Sequence, residues 1–206
     1  FESGSQLTMI DQYAFYTSAL SGSITIPASV TFIGEAAFHS LSNSFSVSFE
    51  SGSQLTTMGE YAFYNSAGLS GSITLPASLT IIGPYTFRSC SSLTSVNFHE
   101  LILLTTIGNG AFKASGLSGS ITLPASLESI GIESFKGTNL TSVIFEPGSQ
   151  LWSASHDIFL DSGLTTFTAP QSVLDLFGGV LVGEGRTVGG KTGVTVTLST
   201  TNLLNN

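Results

Sequence analysis

The chain repeats itself, and that repeat constrains its fold more than any other feature. One tract reads Ser23-Ile24-Thr25-Ile26-Pro27. It returns as Ser72-Ile73-Thr74-Leu75-Pro76 and Ser120-Ile121-Thr122-Leu123-Pro124, with a degenerate copy at Thr166-Phe167-Thr168-Ala169-Pro170. Between these lie Ser46-Val47-Ser48-Phe49, Ser95-Val96-Asn97-Phe98 and Ser142-Val143-Ile144-Phe145. The seven tracts begin 22 to 26 residues apart. A second landmark alternates with them: Ile33-Gly34 to Phe38, Met58-Gly59 to Phe63, Ile82-Gly83 to Phe87, Ile107-Gly108 to Phe112, and Ile130-Gly131 to Phe135. Phe15 and Phe159 mark weaker copies, so the series Phe15, Phe38, Phe63, Phe87, Phe112, Phe135, Phe159 advances by 23 to 25 residues.

A period in the twenties is too short for a helix pair and suits one strand plus one short turn or helix per coil. Within a tract, polar and apolar residues alternate, the period-two mark of a half-buried strand. Ile73 and Leu75 are expected to face inward, Ser72 and Thr74 outward. Pro27, Pro76, Pro124 and Pro170 should end their strands, because proline cannot donate to a ladder. A single coil cannot bury its apolar face, so neighbours must stack. A column of the recurring phenylalanines, each able to remove roughly 150–250 Å² from water, should then supply most of the cohesion. The glycine ahead of each Phe suits a turn or a close approach of backbones. The links alternate too: short after Ile-Thr-Leu-Pro (Ala77-Ser78-Leu79) and longer after Val-Ser-Phe (Glu50 to Leu55), so coils pair into units of 46 to 49 residues.

Composition narrows the function. Only 9% of the residues are charged and the net charge is −8. Nucleic acid and anionic membrane surfaces call for basic patches, so neither is an expected partner. No run of about 18 apolar residues is present to span a bilayer. Cys90 is the only cysteine, which rules out an intrachain disulfide framework and a cysteine zinc site.

The order Leu-x-x-Ile-Gly-x-x-Ala-Phe, a small residue or Cys, then Leu-x-x-Ile-x-Leu-Pro-x-Ser-Leu resembles the BspA-type leucine-rich repeat. Leu79 to Phe87 with Cys90, Leu93 and Val96 carry the resemblance most closely, and Leu55 to Phe63 and Leu104 to Phe112 repeat it. Ser18, Ser66, Ser115, Thr138 and Ser162 stand at the family's Cys position. The resemblance implies a right-handed solenoid of parallel strands with short helical turns. It also implies an extracellular or cell-surface protein that binds proteins or cells.

Residues 1–170 are expected to form seven such repeats, the first entered in mid-coil, with further repeats or another domain ahead of it. Residues 171–206 are expected to form a C-terminal cap: a short helix from Ser172 as N-cap, then a hairpin pairing Val180–Val182 with Val194–Leu198. A P-loop pattern, Gly185 to Thr192, falls in this hairpin. Its phosphate chemistry needs a helix starting at the lysine; the following Gly193 to Leu198 reads as a strand.

No cofactor, metal or catalytic constellation is expected. His39, His99 and His156 fall in different coils, and the recurring serines carry no nucleophile elbow. Glu50, Glu100 and Glu146 recur beyond the strands and read as a solvated edge. Asn139-Leu140-Thr141 is a lone glycosylation sequon. The candidate binding face is the outward ladder, represented by Thr25, Ser48, Thr74, Asn97, Thr122 and Thr168. It suits a protein or glycan ligand on a cell surface. Two other uses fit the same ladder: a building block of a larger extracellular assembly, and an ice-binding grid resembling that of solenoid antifreeze proteins. The irregular segments Glu100 to Leu104 and Leu41 to Phe45 are further candidate contact points.

Overall fold

The structure, a computed structural model, describes Phe1 and residues 4–178 and 183–199. The first strands are β1 (Met9–Ile10), β2 (Gly22–Ile26), β3 (Phe32–Ile33), β4 (Phe45–Phe49), β5 (Thr57–Met58), β6 (Gly71–Leu75), β7 (Ile81–Ile82) and β8 (Leu93–Phe98). The series continues with β9 (Thr106–Ile107), β10 (Ser118–Leu123), β11 (Ser129–Ile130), β12 (Asn139–Phe145), β13 (Ser153–Ala154) and β14 (Thr166–Ala169). Helix α1 (Gln171–Leu176) and strands β15 (Gly183–Val188) and β16 (Lys191–Leu198) complete the described elements.

Each coil contributes to three walls. The short strands form one continuous parallel sheet, β1-β3-β5-β7-β9-β11-β13. The long strands form a second wall of parallel pairs, and the phenylalanine turns form the third. In the long strands the alternation places Ile73 and Leu75 inside and Ser72 and Thr74 outside, and each of β2, β6, β10 and β14 stops immediately before its proline.

Six of the seven phenylalanines, Phe38 through Phe159, are fully buried; Phe15 is half-buried. Their rings stack near-parallel along one line, with centroids 5.1, 4.9, 5.2, 5.3, 5.2 and 5.8 Å apart from Phe15 to Phe159. That spacing is close to the separation of hydrogen-bonded strands, about 4.8 Å, so backbone ladder and ring column share one repeat.

The phenylalanines sit in tight turns, not in helical turns; among the described residues α1 is the only helix. Two residues per turn adopt positive φ, for instance Tyr61 (56°) and Asn65 (54°), or Tyr85 (55°) and Ser89 (60°). Alternate amides then point along the stack: Tyr61, Phe63 and Asn65 donate to the carbonyls of Pro84, Thr86 and Arg88 in the next coil. The turn wall thus satisfies its backbone between coils, as a sheet does.

The glycine ahead of each turn is required by close approach. A Cβ on Gly83 would lie 2.8 Å from the Gly59 carbonyl carbon, and one on Gly108 2.6 Å from Pro84 N. Two smaller columns tie the links. Ser29, Ser78 and Ser126 each donate to two carbonyls of the preceding coil, Ser78 Oγ to Ser53 O (2.9 Å) and Leu55 O (2.8 Å). The Cys-position residues are buried or half-buried, and Cys90 Sγ and Ser66 Oγ donate back to the carbonyls of Phe63 and Phe38.

On the outer side of the turn wall Glu133 lies between Lys113 and Lys136. Hydrogen bonds, first from Lys113 and then from Lys136, hold its carboxyl down at about 2, against an ordinary 4.5. A carboxyl lowered in the folded state stabilises above its unfolded pKa, and that contribution fades as pH falls towards the folded value. The Glu133 carboxyl signal in a carbon NMR titration is expected to remain that of the ionised form at pH 3. A midpoint near 4.5 would show that the pair does not form in solution.

The C-terminal segment departs from expectation in two details. Helix α1 begins at Gln171 with Pro170 at the N-cap position and no side-chain cap; Ser172 is not the cap. Pro170, held extended at φ −62°, already ends β14, and its carbonyl accepts from Val173 and Leu174. The hairpin strand partnering β16 is Gly183–Val188; Val180–Val182 lie outside the described residues. Strand β16 adds in parallel to β14, giving the sheet β10-β12-β14-β16-β15. The hairpin turn lies against the last phenylalanine turn: Phe159 N donates to Gly189 O (2.8 Å), where inner coils use the next coil's carbonyl. Lys191 opens a strand, so the P-loop pattern lacks the helix that phosphate binding needs.

Candidate binding site

The outward ladder is real as a row of residues but not as one lattice. Thr25 and Ser48 are register partners on β2 and β4, with their hydroxyls 3.1 Å apart. Thr74 and Asn97 are partners on β6 and β8. Thr122 pairs with Ile144, Ile144 with Thr168, and Thr168 with Thr197, on the five-stranded sheet. Among the described residues the long-strand wall therefore divides into β2-β4, β6-β8 and the remainder.

Coil length sets the divisions. Strands that pair belong to tracts starting 22 to 24 residues apart, whereas the breaks fall where the step is 26 (β4 to β6) and 25 (β8 to β10). The first break is a splay. Phe45 and Leu69 still form an isolated bridge, and Gly68 passes so close beneath Asn43 that a Cβ would lie 1.8 Å from its carbonyl oxygen. Beyond this anchor β4 and β6 part.

The splay opens a cleft of about 450 Å³. Val47, Ser48 and Phe49 line one side, and Ser72, Thr74 and Leu75 the other, with His99 and Glu50 at the end. Its floor is apolar, since Val47 and Leu75 are buried and Phe49 half-buried, while its rims carry the exposed hydroxyls of Ser48 and Thr74. An apolar bed with a few polar rim groups is the usual make-up of a binding cleft. Beside it runs the irregular 99–104 segment. Ile102 and Leu104 are buried, which turns Leu101 and Leu103 outward at 71% and 59% exposure. The segment is tied down by Leu103 N to Ala77 O (3.0 Å) and by Leu101 N to His99 Nδ1 (3.1 Å).

Of the six ladder residues, Ser48 and Thr74 meet across the cleft, Thr25 and Asn97 flank it, and Thr122 and Thr168 lie on a separate sheet. Phe49 and His99 were not legible as site residues, because their neighbours come from coils whose splay no local pattern announces. Glu50 and Glu146 are not a row of free carboxylates: each caps the amide that follows a proline, Ala28 N and Ala125 N, at 3.0 Å. Among the described residues no group of His, Cys, Asp or Glu could hold a metal, and no helix is long and apolar enough to cross a membrane. Asn139 of the sequon is exposed.

Comparison with known proteins accords with this architecture. The pneumococcal vaccine antigen PcpA is similar with a TM-score of 0.60 and 26% identity, over 73% of this chain and 45% of that one. A leucine-rich repeat protein from Bacteroides ovatus ATCC 8483 shares the fold with a TM-score of 0.68 and 21% identity, over 92% of this chain and 45% of its own. The chain thus spans under half the length of either. No curated protein matches the sequence. The model of the BspA type leucine rich repeat region matches six copies, over residues 8–119 and 105–179. Most of the sequence lies within those two spans, and the chain belongs to the BspA-type leucine-rich repeat family.

Proposed function

We propose that this chain is a non-catalytic binding module of a cell-surface or secreted protein, and that it takes a protein ligand in the cleft between β4 and β6. The observation that carries the reading is the cleft itself, apolar at its floor and hydroxyl-rimmed, next to the outward Leu101 and Leu103. Exposed leucines on a tied-down loop suit the apolar core of an interface, with the uncharged rim supplying hydrogen bonds. Family membership and the likeness to a vaccine antigen support a surface setting. The helix α1 and the β15–β16 hairpin serve in this reading to close one end of the stack. The division of the ladder into three pieces supports this reading over an ice-binding grid.

The test compares two lysine substitutions on the same wall. Binding of the purified chain to immobilised extracellular-matrix glycoproteins is expected to fall at least tenfold with Thr74→Lys, which puts a charge into the cleft. Thr122→Lys, on the other sheet, should leave it unchanged. Equal effects, or none from Thr74→Lys, would place the ligand elsewhere.

A further inference from the structure

All five tyrosines of the chain (Tyr13, Tyr16, Tyr61, Tyr64 and Tyr85) stand on the outer side of the turn wall, away from the cleft. They form two rows. The row two residues before each Phe reads Tyr13, Ala36, Tyr61, Tyr85, then Gly110 and Glu133; the row one residue after reads Tyr16, His39, Tyr64, Arg88, then Lys113 and Lys136. Neighbours stack along the rows: Tyr16 on His39 at 4.8 Å, His39 on Tyr64 at 4.9 Å, and Tyr61 on Tyr85 at 5.3 Å. In the first row Ala36 interrupts the tyrosines. A cavity of about 310 Å³ lies over it, bounded by Tyr13 and Tyr16 on one side and Tyr61 and Tyr64 on the other, with His39 as floor and Glu35 at the mouth.

We propose that this slot is a site for a cationic side chain, an arginine guanidinium above all, presented by a partner polypeptide. The chain displays the same recognition two coils further on: the Arg88 guanidinium lies 5.7 Å from the Tyr64 ring centre and 5.5 Å from that of Tyr85, within the reach of cation–π attraction. Charge favours a cation as well. Glu35 accepts from the Tyr13 hydroxyl at 3.0 Å, Glu60 stands beside Tyr61, and neither forms an ion pair among the described residues. Further along the wall Glu133 is held between Lys113 and Lys136, whereas among the described residues no such cation is paired with the carboxylates beside the slot. Burial pushes the His39 imidazole below its ordinary value, which leaves the floor uncharged at neutral pH.

A built-in filler tests the site. Ala36 has φ 50°, and tyrosine is already accommodated at the equivalent positions 13, 61 and 85 with φ of 55–57°. Ala36→Tyr should therefore fold and occupy the slot. The probe is the peptide acetyl-Gly-Gly-Arg-Gly-Gly-amide, titrated while tyrosine ring signals are followed by NMR. The Tyr13, Tyr61 and Tyr64 rings are expected to shift saturably. Glu35→Gln should weaken binding at least threefold, and Ala36→Tyr, with its dichroism spectrum unchanged, should abolish it. Equal response to the isosteric citrulline peptide would overturn the requirement for charge. Equal response to tetramethylammonium would reassign the slot to free organic cations. Retained binding in Ala36→Tyr would remove the slot altogether. Thr74→Lys should not affect this titration, so its outcome is separable from that of the cleft.

Discussion

Phe87→Ala is expected to lower stability by about 3–5 kcal/mol, the usual cost of emptying a fully buried aromatic site. Phe87 is 0% exposed and stacks on Phe63 and Phe112 at 5.2 and 5.3 Å. Its neighbours are held by two ladders at fixed coil spacing and cannot close over the hole. Because each coil touches only the next, the loss falls on one interface of the stack. Urea unfolding followed by circular dichroism should then separate into two transitions, one for each side of the defect. The same change at half-buried Phe15 should cost much less. A loss below about 1 kcal/mol for Phe87→Ala would mean that the ring column is not what holds the coils together.

Gly83→Ala should cost about 3 kcal/mol, at the upper end of overpacking penalties. The added methyl would run into the backbone of the preceding coil: the Gly59 carbonyl carbon and Met58 O at 2.8 Å, and Glu60 N at 2.9 Å. Backbone cannot swing aside, so relief requires the two coils to move apart and break the ladders between β5 and β7. Gly119→Ala is the contrast. Gly119 has φ 72° with nothing near a new Cβ, so only the left-handed backbone is strained, at about 1 kcal/mol. Equal losses at the two positions in the same unfolding assay would refute the close-approach explanation.

The two contrasts bear on how much could be read beforehand. The Phe series and the Ile-Thr-Leu-Pro tracts marked the coils, because each such residue meets its own counterpart one period away. The turns were harder. Tyr61 and Tyr85 take left-handed backbone that non-glycine residues seldom adopt, and they do so because inter-coil hydrogen bonds hold them there; helical turns were the natural expectation. Ser78 stood only as part of a short link, and Glu50 read as a solvated carboxylate. Each proved to be a tie to the adjacent coil, visible only once the coils are laid side by side.

The site depends on relations of longer range. Ser48 and Thr74 both belong to the ladder, yet their cleft arises from a coil three residues longer than the pairing coils on either side. The gap over Ala36 needs Tyr13 and Tyr61, two coils apart, to face each other across it. Local periodicity was enough to establish the coil, its inward and outward faces and the stacking itself, since those follow from nearest-neighbour burial repeated many times. Where the wall opens follows from small differences in coil length along the stack, and which exposed side chains share a hollow follows from which residues of different coils are brought face to face; both acquire meaning only in three dimensions.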